Sequence, residues 1–248
     1  MDKALFIAMT GAKHNMLAQT ARSNNLANVN TTGFRADFEQ ARAMPVFGQH
    51  HPSRVYALTE RPATDIQAGS YEYTGRNLDI AVRGEGWIAV QAPDGTEAYT
   101  RRGDLNIDPN GVLRTGNGLP IIGNGGPIVL PQGQHIHINA DGGIALGNQA
   151  GGADVEIVDQ IKLVSAQEQG VVMEKGLDGL MRPMGIDVPL ELAEQVQLES
   201  GALETSNVNA VSELTSLLAL SRQYEMNVKM MKSVDDTSAS VNSLLRMG

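Results

Sequence analysis

Cysteine is absent from this chain of 248 residues, which excludes disulfide bonds and metal sites built on thiolates. Aromatic residues account for 4% of the sequence, and the net charge is −9 without any cluster of lysine and arginine. We therefore do not expect a nucleic-acid partner, because phosphate backbones are bound by basic patches. No apolar run reaches the roughly 18 residues that a bilayer-spanning helix needs, so we do not expect a membrane-spanning protein.

Signals for export and catalysis are also missing. The chain does not open with a charged, then apolar, then small-residue leader, so we expect any export to proceed without a cleaved signal peptide. The sequence has no G-x-S-x-G elbow, Walker loop or H-E-x-x-H helix, and its GNGGP stretch lies between predicted strands rather than before a helix. These absences predict a protein that is not an enzyme and binds no cofactor.

Two patterns of polar residues resemble metal sites. Residues 104–111, DLNIDPNG, place a side-chain oxygen at alternate positions, as a calcium loop does. An EF-hand needs glycine at its sixth position and glutamate at its twelfth, where this chain has Pro109 and Thr115, so a polar hairpin is the better interpretation. The histidine pairs at 50–51 and 135–137 have no carboxylate or cysteine placed to complete a site. We expect solvent-facing histidines and no bound metal.

The two ends of the chain carry helical patterns. Apolar or small residues recur at spacings of three and four in the first 34 residues, which predicts a helix with a narrow seam that ends at Gly33. Residues 209–247 contain neither proline nor glycine, and a heptad seam predicts a second helix about 60 Å long. A β-rich domain of this size cannot cover such a helix, so we expect its seam to meet the first helix and other subunits.

We expect the two seams to form the interface within and between subunits. The N-terminal seam comprises Leu5, Met9, Ala12, Met16 and Leu26. Amide contacts between subunits are expected from Asn24, Asn25 and Asn28. The C-terminal seam comprises Leu217, Leu220, Tyr224, Met231, Val234, Val241 and Leu245. An alternative stays open, in which a monomer pairs its own two ends in a soluble coiled coil.

The middle of the chain carries the pattern of an all-β domain. From Leu78 to Leu163, short stretches of alternating apolar and polar residues are separated by turn residues. The Asn110-Gly111 pair predicts a hairpin turn, because both residues can adopt positive φ. Residues 35–75 and 164–205 contain several prolines and glycines, which favour connecting regions with short strands.

Three stretches resemble signatures of the bacterial flagellar axial proteins, the family of rod, hook and hook–filament junction subunits. They are SNNLANVNTTGF at 23–34, PDGTEAYTRRGDL at 93–105 and GALETSNVN at 201–209. In most members a glycine pair is followed by two aromatic residues, whereas here Trp87 is followed by Ile88. The length and the C-terminal helix resemble the proximal rod members most. The resemblance implies a structural subunit without cofactor or metal.

The resemblance also implies a domain organisation. The expected fold class is α+β, with discontinuous terminal helices forming an antiparallel-type coiled coil and a central, mainly antiparallel β domain. We expect the helical domain at 1–32 and 206–248, a linking region with short strands at 33–77 and 186–205, and the β domain at 78–185.

The implied function is that of a subunit of the basal-body rod, in its proximal part, which polymerises helically and transmits torque from motor to hook. Implied partners are further copies of the chain, other proximal and distal rod subunits and the flagellar type III export apparatus; contacts with ring or peptidoglycan components stay open. The expected location is the flagellar basal body, in the periplasm. A distal rod or hook subunit is the nearest alternative, and a secreted β-rich adhesin is a more distant one.

Overall fold

The computed structural model describes residues 2–38, 41–45, 55–59, 63–131, 135–147, 155–185, 188–193 and 195–246. These residues divide into two compact units. The first, here called the helical unit, comprises Met1–Val29, Ala36–Asp65 and Val208–Gly248. The second, here called the β unit, comprises Asn30–Arg35 and Ile66–Asn207. The α+β class predicted from the sequence is confirmed, because the described residues form two helices and twenty strands whose pairings are antiparallel.

The helical unit contains both helices and four short strands. They are α1 (Asp2–Ala27), β1 (Asp37–Phe38), β2 (Ala41–Pro45), β3 (Val55–Thr59), β4 (Ala63–Thr64) and α2 (Ala210–Arg246). Strand β1 pairs with β4, and β2 pairs with β3. The two strand pairs therefore lie in the same unit as the helices.

The β unit contains the remaining strands. They are β5 (Tyr71–Tyr73), β6 (Ile80–Arg83), β7 (Trp87–Gln91), β8 (Glu97–Thr100), β9 (Leu105–Ile107), β10 (Leu113–Thr115), β11 (Ile122–Gly123), β12 (Gly126–Pro127), β13 (His135–Ile138), β14 (Gly143–Gly147), β15 (Val155–Gln160), β16 (Leu163–Val164), β17 (Met173–Lys175), β18 (Met181–Pro183), β19 (Gln197–Ser200) and β20 (Ala202–Glu204).

Helix α1 ends at Ala27, six residues before Gly33, where the sequence pattern predicted its end. The amide of Val29 bonds to the carbonyl of Leu26 three residues back, so the last turn tightens and the helix stops. Asparagine-rich turns favour such endings, since asparagine is a poor helix former. Gly33 does adopt a positive φ of 65°, but it does so in the β unit rather than as the cap of α1.

Helix α2 spans 37 residues, close to the range predicted from the lack of proline and glycine. Asn209 caps its start, because its Oδ1 accepts the amides of Val211 and Ser212 at 3.1 Å each. The first turn also carries Glu213, where a carboxylate is favoured by the helix dipole. Among the residues that the structure describes, neither helix combines the length and hydropathy needed to cross a bilayer.

The β unit is built from one five-stranded sheet, one three-stranded sheet and several strand pairs. The larger sheet has the order β16-β7-β8-β18-β17, and the smaller one has the order β13-β14-β15. One apolar cluster packs Ile88, Leu113 and Ile144 in its interior, and a second surrounds Trp87 and Tyr99. These clusters make the β unit a folded body with its own core.

The hairpin predicted at Asn110-Gly111 is present between β9 and β10, with a different turn. Gly111 alone has a positive φ, of 85°, whereas Asn110 does not. Pro109 precedes Asn110, and its ring holds φ near −65°, so the turn begins at Asp108 and places only glycine in the left-handed region. The amide of Gly111 accordingly bonds to the carbonyl of Asp108 at 2.9 Å.

Candidate assembly surface on the terminal helices

Helices α1 and α2 pack against each other in opposite directions within the helical unit. Near one end of the contact, Arg22 Nη1 lies 2.8 Å from Glu213 Oε1. Further along the contact, a Cβ atom on Gly11 would lie 3.3 Å from Asn227 Nδ2. Moving back along α1 therefore means moving forward along α2, so the pair is antiparallel. Coiled-coil geometry stays a prediction.

Small residues form the side of α1 that is buried within the chain. Ala8 and Ala12 are 2% and 6% exposed, and they lie on either side of Gly11 in the sequence. Small side chains allow another backbone to approach closely, whereas larger ones hold it away. The spacing of these residues, three and four apart, was the sequence signal that could have identified this face.

The other side of α1 carries large apolar residues that are not covered. They are Leu5, Phe6, Met9, Met16 and Leu17. Met9 is 51% exposed and Met16 is 62% exposed. At about 100° per residue, all five lie about 120° or more around the helix from Gly11. We call this set the outer face of α1.

The predicted seam of α1 thus contains both residues that are buried within the helical unit and residues that are exposed. Ala12 is buried inside the helical unit and Leu26 is partly buried. Leu5, Met9 and Met16 belong to the outer face instead. The spacing of apolar residues in the sequence assigns both sets to one seam, because spacing alone does not show which part of the protein each side chain contacts. Their part in contacts between subunits stays a prediction.

The predicted seam of α2 follows its least exposed side. The partly buried members are Leu217, Leu220, Met231, Val234 and Val241. Tyr224 is exposed, and the side chain of Leu245 lies outside the described residues. Asn227, which approaches Gly11, belongs to the same spacing of three and four. Beside these residues most of the helix surface is exposed.

The three asparagines at the end of α1 differ in their surroundings. Asn24 is exposed, and the Asn28 amide donates to the Asn24 carbonyl at 2.9 Å. Asn25 is fully buried: its Nδ2 donates to Asp37 O and its Oδ1 accepts from Asp37 N, both at 2.9 Å. The prediction that Asn25 contacts other subunits needs correction, because its amide is already used to hold β1 within the chain.

Charged groups strengthen the end of the helix pair. The Glu213 side chain is only 6% exposed, and the Arg22 side chain is 26% exposed. The Arg22 guanidinium also lies 5.7 Å from the centre of the Phe38 ring, where the ring's π-face favours a cation. Arg22 thereby connects α1 to α2 and to the residue that ends β1.

A buried cluster of charges in the β unit was not anticipated from the sequence. Glu204 is fully buried, and Arg35 and Arg101 are each 2% exposed. Arg35 Nη2 lies 2.7 Å from Glu204 Oε1, and Arg101 Nη1 lies 3.1 Å from Glu204 Oε2. Burial lowers the pKa of Arg101, while the charge of Glu204 opposes that shift. The residues are far apart in sequence, so no local pattern could have brought them together.

The polar stretches weighed as metal sites have other partners. The Asp108 carboxylate accepts the amides of Asn110 and Val112 at 2.8 and 2.9 Å and the Arg114 Nε at 2.8 Å. The hydrogen bond from Arg114 holds the pKa of Asp108 below its usual value. Residues 135–137 lie on strand β13 with both histidines exposed, and residues 50–51 lie outside the described residues. Across the described part of the chain, no group of three or more histidine and acidic residues is arranged for a metal.

Comparison with known proteins establishes the family. Models described as "Flagella basal body rod protein", "Flagellar hook protein FlgE/F/G D1 domain" and "Flagellar basal body rod FlgEFG protein C-terminal" match residues 5–35, 81–146 and 199–244. The flagellar basal-body rod protein FlgF of Escherichia coli (strain K12) is 40% identical over 253 residues, covering 100% of both chains. This chain belongs to the FlgF family of flagellar basal-body rod proteins.

Other rod proteins are similar over the same length. FlgF of Salmonella typhimurium is 38% identical over 253 residues, again covering 100% of both chains. FlgG of Buchnera aphidicola subsp. Acyrthosiphon pisum is 31% identical over 264 residues, covering 98% of this chain and 100% of the relative. The chain is accordingly a structural subunit of the flagellar basal-body rod and not an enzyme, and its place is the flagellar basal body.

Proposed function

We propose that this rod subunit belongs to the proximal rod and polymerises through its terminal helices, with the outer face of α1 seated on the terminal helices of a neighbouring rod subunit. The observation that carries the proposal is the division of α1 into a small-residue side that is buried in the chain and a large apolar side that is exposed. The identity of 40% and 38% to FlgF of Escherichia coli and Salmonella typhimurium, against 31% to FlgG of Buchnera aphidicola, supports the proximal position over the distal one.

Exposure of the outer face to water is unfavourable in free energy. Burying a fully exposed large apolar side chain contributes about 1.5–3 kcal/mol, and covering these five residues, which are 39–62% exposed, contributes roughly half of that for each one. Contiguous apolar patches on soluble proteins mark interaction surfaces more often than chance exposure. In a rod protein the occupant that fits this face is the helical part of another subunit, since α2 also leaves Val211, Leu214 and Leu218 exposed.

The helices are expected to be weakly ordered before assembly. Most of the surface of α2 is exposed along its 37 residues, and a helix in water is marginal unless its apolar side is covered. Weakly ordered ends would suit passage through the type III export apparatus into the periplasm and would prevent polymerisation before arrival. Docking then orders the ends, and the ordering cost is offset by burial between subunits.

Incorporation of variants into isolated hook–basal bodies tests the proposal. The double variant Met9→Asp, Met16→Asp places two charges on the outer face without changing the side that packs on α2. We expect this variant to be exported and folded but absent from the rod. The matched control Met9→Leu, Met16→Leu keeps the face apolar and should be incorporated normally. Equal incorporation of the two double variants would refute the assignment of the outer face.

Order in the free subunit is tested by limited proteolysis with intact-mass readout, combined with far-UV circular dichroism. Trimming to a core near residues 33–205, with little helical signal, would support ends that become ordered on assembly. A protease-resistant and strongly helical monomer would mean that the ends are already paired, and this part of the proposal would be abandoned.

A further inference from the structure

We propose that the β unit holds the chain leaving α1 against the chain entering α2 and thereby promotes the pairing of these helices within one subunit. The element responsible, here called the clasp, consists of residues 33–35, Arg101, Glu204 and Asn207. The inference goes beyond polymerisation, because the clasp acts inside a single chain and does not depend on a neighbour.

Main-chain hydrogen bonds place the two segments of the clasp side by side. The amide of Gly33 donates to the carbonyl of Glu204 at 2.8 Å. Three residues further along, the amide of Asn207 donates to the carbonyl of Phe34 at 3.3 Å. The Asn207 side chain also donates to Gln67 O at 3.1 Å. Segments about 170 residues apart in sequence are therefore joined within the β unit.

The buried charges make this junction cooperative. Glu204 accepts the amide of Gly69 at 2.9 Å in addition to its two ion pairs with Arg35 and Arg101. A buried carboxylate or guanidinium without its partner is strongly destabilising. When Arg35 leaves the β unit, the buried Glu204 keeps Arg101 but loses one of its two ion pairs, so the junction is most stable with all three charged residues in place.

The β unit fixes Arg101 and Arg35 without help from the helices. Arg101 Nη2 donates to Gly84 O at 2.6 Å, and the Arg35 guanidinium donates to Gln67 O. Both guanidinium groups also lie near the ring of Trp87, at 5.2 Å for Arg101 and 5.8 Å for Arg35. Every one of these partners belongs to the β unit. The clasp can thus form before α1 and α2 have paired.

The clasp also gives a common physical role to the three signature stretches seen in the sequence. Arg35 directly follows the stretch at 23–34, and Arg101 lies within the stretch at 93–105. Glu204 lies within the stretch at 201–209. The stretches therefore meet at one buried cluster, although nothing in their local composition indicates that they do.

The expected effect follows from the length of chain that must be closed when the helices pair. With the clasp formed, residues 28–34 and 207–209 connect α1 to α2, which is about ten residues. Without it, the chain that leaves α1 next enters the β unit at Ile66, and the connection grows to about forty residues. The pairing of β1 with β4 does not shorten this link, because both strands belong to the helical unit that forms with the helices. Loop-closure scaling then predicts that the clasp raises the effective concentration of the helices for each other by about eightfold.

The absence of cysteine allows a direct measurement of this effective concentration. Gly11→Cys and Asn227→Cys introduce a thiol pair where the helices approach, and equilibration of the full chain in a glutathione buffer reports the effective concentration of the two thiols. Intact mass at low protein concentration separates disulfides within one chain from those between chains. A cooperative urea transition followed by the fluorescence of Trp87, the single tryptophan, reports folding of the β unit in the same samples. The transition is used rather than the starting intensity, because Trp87 lies beside Arg35 and Arg101.

Gly33→Ala opens the clasp without altering a charge. Gly33 has a φ of 65°, and a Cβ atom there would lie 2.4 Å from the carbonyl carbon of Arg101, so alanine displaces this segment from the β unit. Gly69→Ala acts from the other side, because its Cβ would lie 2.0 Å from Thr205 O. Gly95→Ala is the matched control: its φ is 83°, and no atom lies within 4 Å of the added Cβ.

We expect the effective concentration to fall by about eightfold in the Gly33→Ala chain, to fall in the Gly69→Ala chain as well, and to stay unchanged in the Gly95→Ala chain. An unchanged value in both clasp variants, or an equal fall in the control, would overturn the proposal. Loss of β-unit folding in the clasp variants would also overturn it, since the clasp would then be inseparable from the core. Because the measurement uses the unassembled subunit, its outcome is independent of rod incorporation.

Discussion

Gly11 of α1 lies against Asn227 of α2, so closely that a Cβ atom on the glycine would come within 3.3 Å of the amide nitrogen. The contact sets the separation of the two helices within one chain. It also determines which side of α1 remains for other subunits, because the apolar side chains of α1 project away from it. The small residue at position 11 therefore matters for assembly even though it presents no surface of its own.

A branched side chain at this position should push the helices apart. We expect Gly11→Val to destabilise the helical unit by about 1–3 kcal/mol, since a Cβ atom already lies 3.3 Å from Asn227 Nδ2 and the added methyl groups require this side chain to move. Because the free subunit is expected to show little helical signal, thermal melting of isolated hook–basal bodies that contain the variant measures the change. Adding Asn227→Ala should recover part of the loss by opening space, and Lys13→Val, at an exposed position, should have little effect. A neutral Gly11→Val would contradict the described contact.

The seam of α2 is tested by a buried charge. Leu220 is partly buried and Ser221, the next residue, is exposed. Leu220→Asp should abolish incorporation into the rod while Trp87 fluorescence shows that the β unit remains folded. Ser221→Asp adds the same charge one position away and should be incorporated. Normal motility of a strain that carries Leu220→Asp would refute the seam.

The ion pair between Arg22 and Glu213 should contribute a measurable coupling. Its carboxylate is nearly buried and lies in the first turn of α2, so we expect about 0.5–1 kcal/mol in a double-mutant cycle with Arg22→Gln and Glu213→Gln. The coupling should weaken as salt is added, because Arg22 is partly exposed. Additive single-variant effects at low salt would show that the pair does not couple the helices.

The β9–β10 turn should respond to acid through Asp108. Hydrogen bonds from Arg114 and the turn amides lower the pKa of this carboxyl in the folded state, so the folded form favours the ionised group. Its contribution is complete above the unfolded pKa of about 3.9 and is lost as the pH falls through the folded value. The difference in the free energy of unfolding between the parent and Asp108→Asn should therefore persist at neutral pH and vanish in strong acid. A difference that grows on acidification would contradict this assignment.

Local sequence patterns predicted the elements that depend on local interactions. The span of α2 followed from the lack of proline and glycine between Asn209 and Met247, and the β9–β10 hairpin followed from Asn110-Gly111. The exact turn did not follow, because Pro109 controls φ one position earlier. The predicted end of α1 at Gly33 was also wrong. The positive φ of Gly33 serves a close approach to the backbone of Arg101, which lies far away in sequence.

The surfaces that matter for function depend on contacts between distant residues. Leu5, Met9 and Ala12 share an apolar or small character, yet the chain buries Ala12 and leaves the other two exposed. Spacing reveals that a helix has a face, but only the neighbour decides which face is covered. The cluster of Arg35, Arg101 and Glu204 was hidden for the same reason, because charged residues read in isolation are expected on the surface.

The most direct test of the account uses Met9→Cys as a probe of the outer face in an otherwise cysteine-free chain. Modification by a maleimide reagent is measured on the purified monomer and on isolated hook–basal bodies that contain the variant. We predict rapid modification in the monomer and strong protection in the assembled rod, because a neighbouring subunit covers the position. Equal modification in both states would show that the outer face of α1 is not an interface, and the proposed mode of assembly would be wrong.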